Sequence, residues 1–257
     1  MSHQIHASRQ VGLARALSKL GYCSRSRAFE LIRASRVGLN GRIRGDPETP
    51  VRLDRDRIEV DGCEIRPQAK VYLLMNKPRG VITTAADEKD RKTVYALLSG
   101  HLPWVGPVGR LDKASEGLLL LTNDSEWGAR VSAPETHLHK TYHVQVACVA
   151  DSALIEKITK GVSTREGERL RAKAARILRG GEKNTWLEIV LDEGRNRHIR
   201  RMLAALEIEV LRLVRVAIGP LALGDLPKGD WRRLSETEKQ SLDAAIKKAN
   251  HKGYEGL

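Results

Sequence analysis

Three groups of residues in this chain combine the types and spacings that chemistry requires. In the first, Asp112 stands between Arg110 and Lys113, just ahead of four consecutive leucines at 118–121. Four leucines in a row cannot all face water, so they read as a buried strand, with Asp112 on a polar turn at the edge of a core. A carboxylate held there among cations stays ionised and aimed, as a nucleophile or general base must be. Taken alone, a turn aspartate salt-bridged to Arg110 or Lys113 accounts for the same residues. The second group is Lys140-Thr141-Tyr142, a phenol that follows a basic residue at the start of an alternating strand. It offers a flat platform for a planar ligand, although spacing alone favours a core tyrosine with a satisfied hydroxyl. The third group is 193–202, where Arg195, Arg197, Arg200 and Arg201 fall at a loop-to-helix junction. Guanidinium groups at that density bind anions.

The elements that must position these groups are legible as alternating and periodic patterns. Strand signals occur at 71–75, 142–148, 185–191 and 209–218, the last placing Arg212 and Arg215 on opposite faces by parity. Helical signals cover 151–160, closed by Gly161, and 196–206, with a final helix opened by the capping box Ser235-Glu236-Thr237-Glu238. This interleaving predicts an α+β domain with a mixed, mainly antiparallel sheet. Ahead of it, Leu13, Leu17 and Leu20 mark a helix ended by Gly21, and Ser24 caps a second carrying Ala28, Leu31 and Ile32. Short strands at 37–39 and 58–60 run into turns at Asn40-Gly41 and Asp61-Gly62. A polar, proline-containing connector at 66–70 separates the parts. The predicted organisation is a disordered start at 1–10, a small helix-rich module at 11–66, a larger domain at 67–247 and a basic tail at 248–257.

Composition narrows the class of partner. The 257 residues carry a net charge of +13 and 41% apolar residues, with a single Phe. A core of Leu, Ile, Val and Ala is therefore expected, under a surface suited to a polyanion. Nucleic acid is the first candidate and an anionic membrane the second, but no apolar stretch reaches the ~18 residues of a membrane span. Nine basic residues and one acidic residue, Glu30, lie between Arg9 and Gly45. Arg25 and Arg27 open the second helix, where cations oppose the helix dipole, so a ligand for them is a better account than a merely solvated face. Cys23, Cys63 and Cys148 are scattered, as reduced thiols of a cytosolic protein would be. The chain has no P-loop, no G-x-G-x-x-G and no metal-ligand spacing, so neither metal nor cofactor is expected.

The run 109–124, Gly-Arg-Leu-Asp-Lys-Ala-Ser-Glu-Gly-Leu-Leu-Leu-Leu-Thr-Asn-Asp, resembles the catalytic motif of RsuA-type ribosomal RNA pseudouridine synthases, whose aspartate falls on Asp112. The residues at 11–57 resemble an S4 RNA-binding module. The resemblance covers about 11–242 and departs at Ala114-Ser115, where many members have Asp-Thr; Ser115 keeps the hydroxyl. It implies isomerisation of uridine to pseudouridine within RNA, a nucleotide flipped out of its stack, Tyr142 stacking on the target base, and Arg200 pairing with Asp112. RNA contacts are expected from Arg15, Lys19, Arg25, Arg27, Arg33 and Arg36 in the module. Arg110, Lys140, Arg195, Arg197 and Arg201 are expected to make them in the larger domain. Ile218 and Leu221 either line the base pocket or belong to the core, and Lys77 and Arg79 either touch RNA backbone or form an exposed turn. The wording of 193–202 is closer to large-subunit than to small-subunit enzymes. The expected partner is ribosomal RNA or a pre-ribosomal particle, met by a cytoplasmic monomer. Two rivals are a non-catalytic S4-type RNA-binding or ribosome-assembly protein, which gives Asp112 no task, and a hydrolase of nucleosides or glycosides. The hydrolase needs a second carboxylate in a defined relation to the first, for which Glu116 and Asp124 are the neighbours in sequence.

Overall fold

The computed structural model describes residues 10–84 and 91–252. The expected disordered start and the end of the expected basic tail lie outside the described residues, apart from Gln10. The chain divides into two compact units. One comprises the chain up to Val71 with 99–106 and 122–125, and the other comprises 72–98, 107–121 and the chain from Glu126 onward.

The first unit opens with β1 (Val11–Gly12), α1 (Leu13–Lys19) and α2 (Arg25–Arg33). Gly21 takes φ +77° after α1, and the Ser24 side chain accepts the Arg27 backbone N–H at 3.1 Å, as their types anticipate. Strands β2 (Val37–Leu39), β3 (Arg42–Ile43), β4 (Pro50–Val51), β5 (Ile58–Val60) and β6 (Cys63–Glu64) follow. The order β3-β2-β5-β6 forms one antiparallel sheet, and β1 pairs with β4. Leu13, Leu17, Ile32, Val37 and Val60 are among the residues of its aliphatic core.

The second unit is built on a nine-stranded sheet. Its chain order begins with β7 (Tyr72–Lys77), β8 (Gly106–Val108), β9 (Glu116–Thr122), α3 (Ser125–Ser132), β10 (Lys140–Val146) and α4 (Ser152–Lys160). The small hairpin β11 (Val162–Ser163) and β12 (Arg169–Leu170) precedes β13 (Ala174–Gly180), β14 (Thr185–Leu191), α5 (His198–Ala204) and β15 (Val210–Ile218). Strands β16 (Leu221–Ala222) and β17 (Trp231–Arg233) and helix α6 (Glu236–Lys252) complete it. The sheet order is β13-β14-β10-β15-β9-β7-β17, with β16 on β15 and β8 on β9. The β10–β14, β10–β15, β13–β14 and β17–β7 pairs run antiparallel, whereas β15 and β9 run parallel. The fold is thus α+β with a mixed, mainly antiparallel sheet. Among the described residues no helix is long and apolar enough to cross a membrane.

Strand β9 anchors the sheet. Leu118, Leu119, Leu120 and Leu121 are all fully buried, and each contributes roughly 1.5–3 kcal/mol by leaving water. The loop ahead of this strand is thereby fixed at its downstream end. Gly117, at φ +103°, sits opposite Arg215 across the parallel pair, and a Cβ there would lie 2.3 Å from the Arg215 carbonyl oxygen. Only glycine allows that approach. One layer of core joins Val144, Leu187 and Ile189 to Ile158 of α4 and Met202 of α5. Another joins Leu118 and Leu120 to Trp127 of α3 and Leu242 of α6. The capping box is reciprocal: Ser235 Oγ accepts the Glu238 N–H, and Glu238 Oε2 accepts the Ser235 N–H.

Candidate active site

The site begins with the loop that carries Asp112, between β8 and β9. Five consecutive carbonyl oxygens of this loop accept hydrogen bonds. The buried Thr83 hydroxyl donates to Leu111 at 2.8 Å, and Ser115 N–H closes a turn on Asp112 at 3.0 Å. Gly80 N–H donates to Lys113 at 2.8 Å, Arg200 Nη2 to Ala114 at 3.0 Å, and Lys77 Nζ to Ser115 at 2.8 Å. Further along, Arg215 Nε donates to the Leu118 carbonyl at 2.7 Å. Three cations from β7, α5 and β15 therefore hold the backbone around Asp112. Its carboxylate has no hydrogen-bond or ion-pair partner among the described residues. A backbone fixed at each peptide, with a free carboxylate at its centre, is a preorganised reactive group.

This arrangement changes two expectations. Lys77 cannot contact RNA: it is fully buried at the end of β7, and its ammonium donates to the Ser115 and Pro78 carbonyls. Burial pushes that ammonium down to about 8, with the Arg215 charge adding to burial and the Asp112 and Glu116 carboxylates opposing it. Arg200 directs its guanidinium to the carbonyls of Ala114 and Val210, with no ion pair to Asp112 among the described residues. Burial lowers its affinity for its proton, as do the charges of Arg197 and Arg79, and Asp112 acts in the opposite sense. Arg200 thus couples to Asp112 through the field and through the peptide two residues on. Arg79 is exposed, within 3.5 Å of the Leu211 carbonyl.

Asp112 opens into a cleft of ≈ 350 Å³ whose wall includes Tyr142, Lys140, Arg110, Arg197 and Ile218. Asp112 is the one carboxylate on that wall among the described residues. Tyr142 is half-buried on β10, facing the cleft. Lys140, also half-buried, has its ammonium shifted down by burial and by the Arg215 charge. Arg110 and Arg197 are exposed; Arg197 adopts φ +48°, so α5 starts at His198, two residues later than its pattern predicts. Arg195 also reaches the cleft, but it is paired with Glu193 and Glu168, each at 2.9 Å. Arg201 lies against Glu168 and Glu166. These carboxylates take up part of the charge that the cluster shows in sequence. His198 is buried beside the cleft, and burial pushes its imidazole below the usual histidine value. Ile218 lines the cleft and also packs in the core with Leu221, Trp127 and Leu242, whereas Leu221 does not reach the cleft wall.

Neither of the other nearby carboxylates joins Asp112 in the cleft wall. Burial alone would raise the Glu116 carboxyl, but hydrogen bonds from Lys228 at 2.6 Å and Arg212 at 3.2 Å outweigh it and keep the group ionised. Asp124 belongs to the other unit. Among the described residues, no three His, Cys, Asp or Glu side chains gather as metal ligands would. In the first unit, Arg15, Arg25 and Arg33 are exposed, Lys19 is half-buried, Arg27 pairs with Glu30 at 2.7 Å and Arg36 with Asp61 at 2.5 Å. Sequence reasoning missed Thr83 and the positioning roles of Lys77 and Arg215, whose partners lie far away along the chain.

Comparison with known proteins identifies the family. Residues 71–205 match the family model for RNA pseudouridylate synthase, and residues 11–58 match that for the S4 domain. The chain is 38% identical over 238 residues to an uncharacterized RNA pseudouridine synthase of Aquifex aeolicus, covering 92% of this chain and 95% of that protein. It is 36% identical over 233 residues to ribosomal large subunit pseudouridine synthase B of Bacillus subtilis, covering 90% and 95%. A crystal structure of a pseudouridylate synthase superimposes with a TM-score of 0.63 at 28% identity, covering 90% of this chain and 99% of that one. A lone free carboxylate in a basic cleft, matched over most of the chain to enzymes of one chemistry, leads to one assignment: the chain belongs to the RNA pseudouridylate synthase family, with an S4 domain at its N-terminal side.

Proposed function

We propose that this RNA pseudouridine synthase isomerises a specific uridine in ribosomal RNA, in the large rather than the small subunit. The observation that carries the chemistry is the Asp112 carboxylate, unpartnered at the centre of a clamped loop and facing Tyr142 across a basic cleft. The relative named for the large subunit, at 36% identity, supports the choice of RNA. In this reading residues 11–66 form the S4-type module that grips RNA through Arg15, Lys19, Arg25, Arg27, Arg33 and Arg36. Residues 67–247 carry out the reaction. The protein acts as a monomer in the cytoplasm, where its substrate is.

Each step makes a demand on named residues. The target uridine must leave its stack, at a cost of a few kcal/mol that phosphate contacts at Arg110, Lys140 and Arg197 offset. Tyr142 stacks on the extruded base. Asp112 then either attacks C1′ or removes a proton from the sugar, and the bond from N1 to C1′ breaks. The detached uracil carries negative charge that the cationic wall stabilises while the base turns. A bond then forms between C5 and C1′: on the first route it displaces Asp112 from C1′, and on the second Asp112 returns the proton to the sugar; C5 loses its proton, and N1 gains one. No electrons leave the substrate, so the reaction calls on no redox cofactor.

Mapping pseudouridines in ribosomal RNA from cells lacking this protein tests the proposal. One large-subunit uridine is expected to stay unmodified, to be restored by the wild-type protein and not by Asp112→Ala. Restoration by Asp112→Ala would favour the non-catalytic S4 binder, and free uracil released by the purified protein would favour the hydrolase.

A further inference from the structure

The face of the sheet opposite the catalytic cleft carries a second recess. Side chains alternate along β10 and β15, so Tyr142, Leu213 and Arg215 face the cleft while His143, Arg212 and Val214 face away. Those three, with Leu178, Arg179 and Trp186, line a groove of ≈ 390 Å³, within the size range of small-ligand sites. A cross-strand row sets its geometry: Arg179 pairs with Trp186, Trp186 with Gln145 and Gln145 with Arg212. The guanidinium carbons of Arg179 and Arg212 lie 5.4 and 5.5 Å from the centroid of the half-buried indole. Arg212 is also held by Glu116, but Arg179 has no carboxylate partner among the described residues.

The groove is joined to a basic edge. Strand β13 is the edge of the sheet, and residues 169–179 contain five cations (Arg169, Arg171, Lys173, Arg176 and Arg179) and no acid, although Arg176 pairs with Glu188 at 2.6 Å and Lys173 lies 3.9 Å from Asp192. Its start bonds to Val190, next to Leu191 in the cleft wall, and its far end pairs beside Trp186. Five strand residues at about 3.3 Å each connect the two places, a path of roughly 17 Å. Charge on an edge strand prevents edge-to-edge pairing, and that alone accounts for the cations. It does not account for an indole between two guanidiniums at the end of their path. Aromatic and guanidinium planes flanked by cations are the elements that take single-stranded nucleic acid.

We propose that the Trp186 groove and the β13 edge bind a single-stranded stretch of RNA flanking the target uridine, with one base stacked in the groove and phosphates along Lys173, Arg176 and Arg179. The proposal rests on the function proposed above, because it takes the substrate RNA as the occupant. The test uses the full chain, a fluorescent single-stranded oligouridine for binding and a large-subunit ribosomal RNA transcript for turnover. Arg179→Glu and Trp186→Leu are each expected to weaken oligouridine binding by about tenfold. Both should raise KM on the transcript and leave kcat unchanged, and Trp186→Tyr should restore affinity. Wild-type binding and KM in both Arg179→Glu and Trp186→Leu would overturn the proposal. So would a Trp186→Leu protein that binds normally while Arg179→Glu is weakened for oligouridine and inorganic polyphosphate alike, since that marks a phosphate patch without base stacking. If the wild-type protein modifies no ribosomal transcript yet loses oligouridine with these variants, the assigned substrate fails and the single-strand site stands.

Discussion

Cations in two regions of this molecule do different work. Around Asp112, Lys77 and Arg215 are buried and Arg200 half-buried, and each donates to a main-chain carbonyl of the segment 114–118. In the first unit, Arg15, Arg25 and Arg33 stand in water without a carboxylate partner among the described residues. A buried cation must satisfy its donors locally, so its charge becomes a positioning device. An exposed cation keeps a long-range field that draws in a polyanion and weakens with salt. The same residue types are therefore expected to act on kcat in one place and on affinity in the other.

The largest effect that would break this contrast is at Lys77. Lys77→Met leaves the Ser115 carbonyl without its donor and the catalytic loop free to shift. Single-turnover pseudouridine formation is expected to fall at least about 10²-fold, with RNA affinity within about twofold of wild type. Equal losses in rate and affinity would show that the buried cations also serve as binding charges. Next is Gly117→Ala, which forces a Cβ into the Arg215 backbone at a left-handed φ; a loss of about 2 kcal/mol or more is expected in urea unfolding.

The pH dependence of Lys77 sharpens the comparison further. Its pKa is depressed from 10.5 to about 8, so between those values the unfolded state holds more protons than the folded one. The contribution of this residue to stability therefore rises with pH across that window. Its charge near Asp112 is lost over the same range, so the turnover rate should fall. Unfolding and turnover measured at pH 7 and pH 9.5 should move in opposite directions relative to Lys77→Met, which has no such titration. The smallest effect is at the surface. Arg25→Ala or Arg33→Ala should weaken RNA binding severalfold and reduce the salt slope by about one, with kcat unchanged.

Local features were the most legible part of the sequence. The Ser235 capping box and the left-handed turn residues Asn40, Gly41, Asp61 and Gly62 are fixed by near neighbours, and the structure realises each. The strand at Thr185–Leu191 follows from alternation, and Arg212 and Arg215 do fall on opposite faces. Alternation could not say which of those arginines is buried, because helix packing on one face of the sheet decides it. Lys77 read as an exposed or RNA-touching turn residue because its partners, Ser115 and the loop around Asp112, lie some 38 positions away. The acids that neutralise Arg195 and Arg201 come from elsewhere too, Glu168 being 27 and 33 residues distant. The Trp186 groove is assembled from four strands, and no single stretch of sequence contains it.

The proposed chemistry depends on Asp112 acting as a free carboxylate on a loop that other groups hold still. Its most direct test is single-turnover tritium release from RNA carrying 5-tritiated uridine, with wild-type protein and Asp112→Asn compared on the same transcript. Asp112→Asn is expected to bind the RNA within about twofold of wild type and to lose at least about 10³-fold in release. Release at the wild-type rate would contradict the account and assign the chemistry to another group in the cleft.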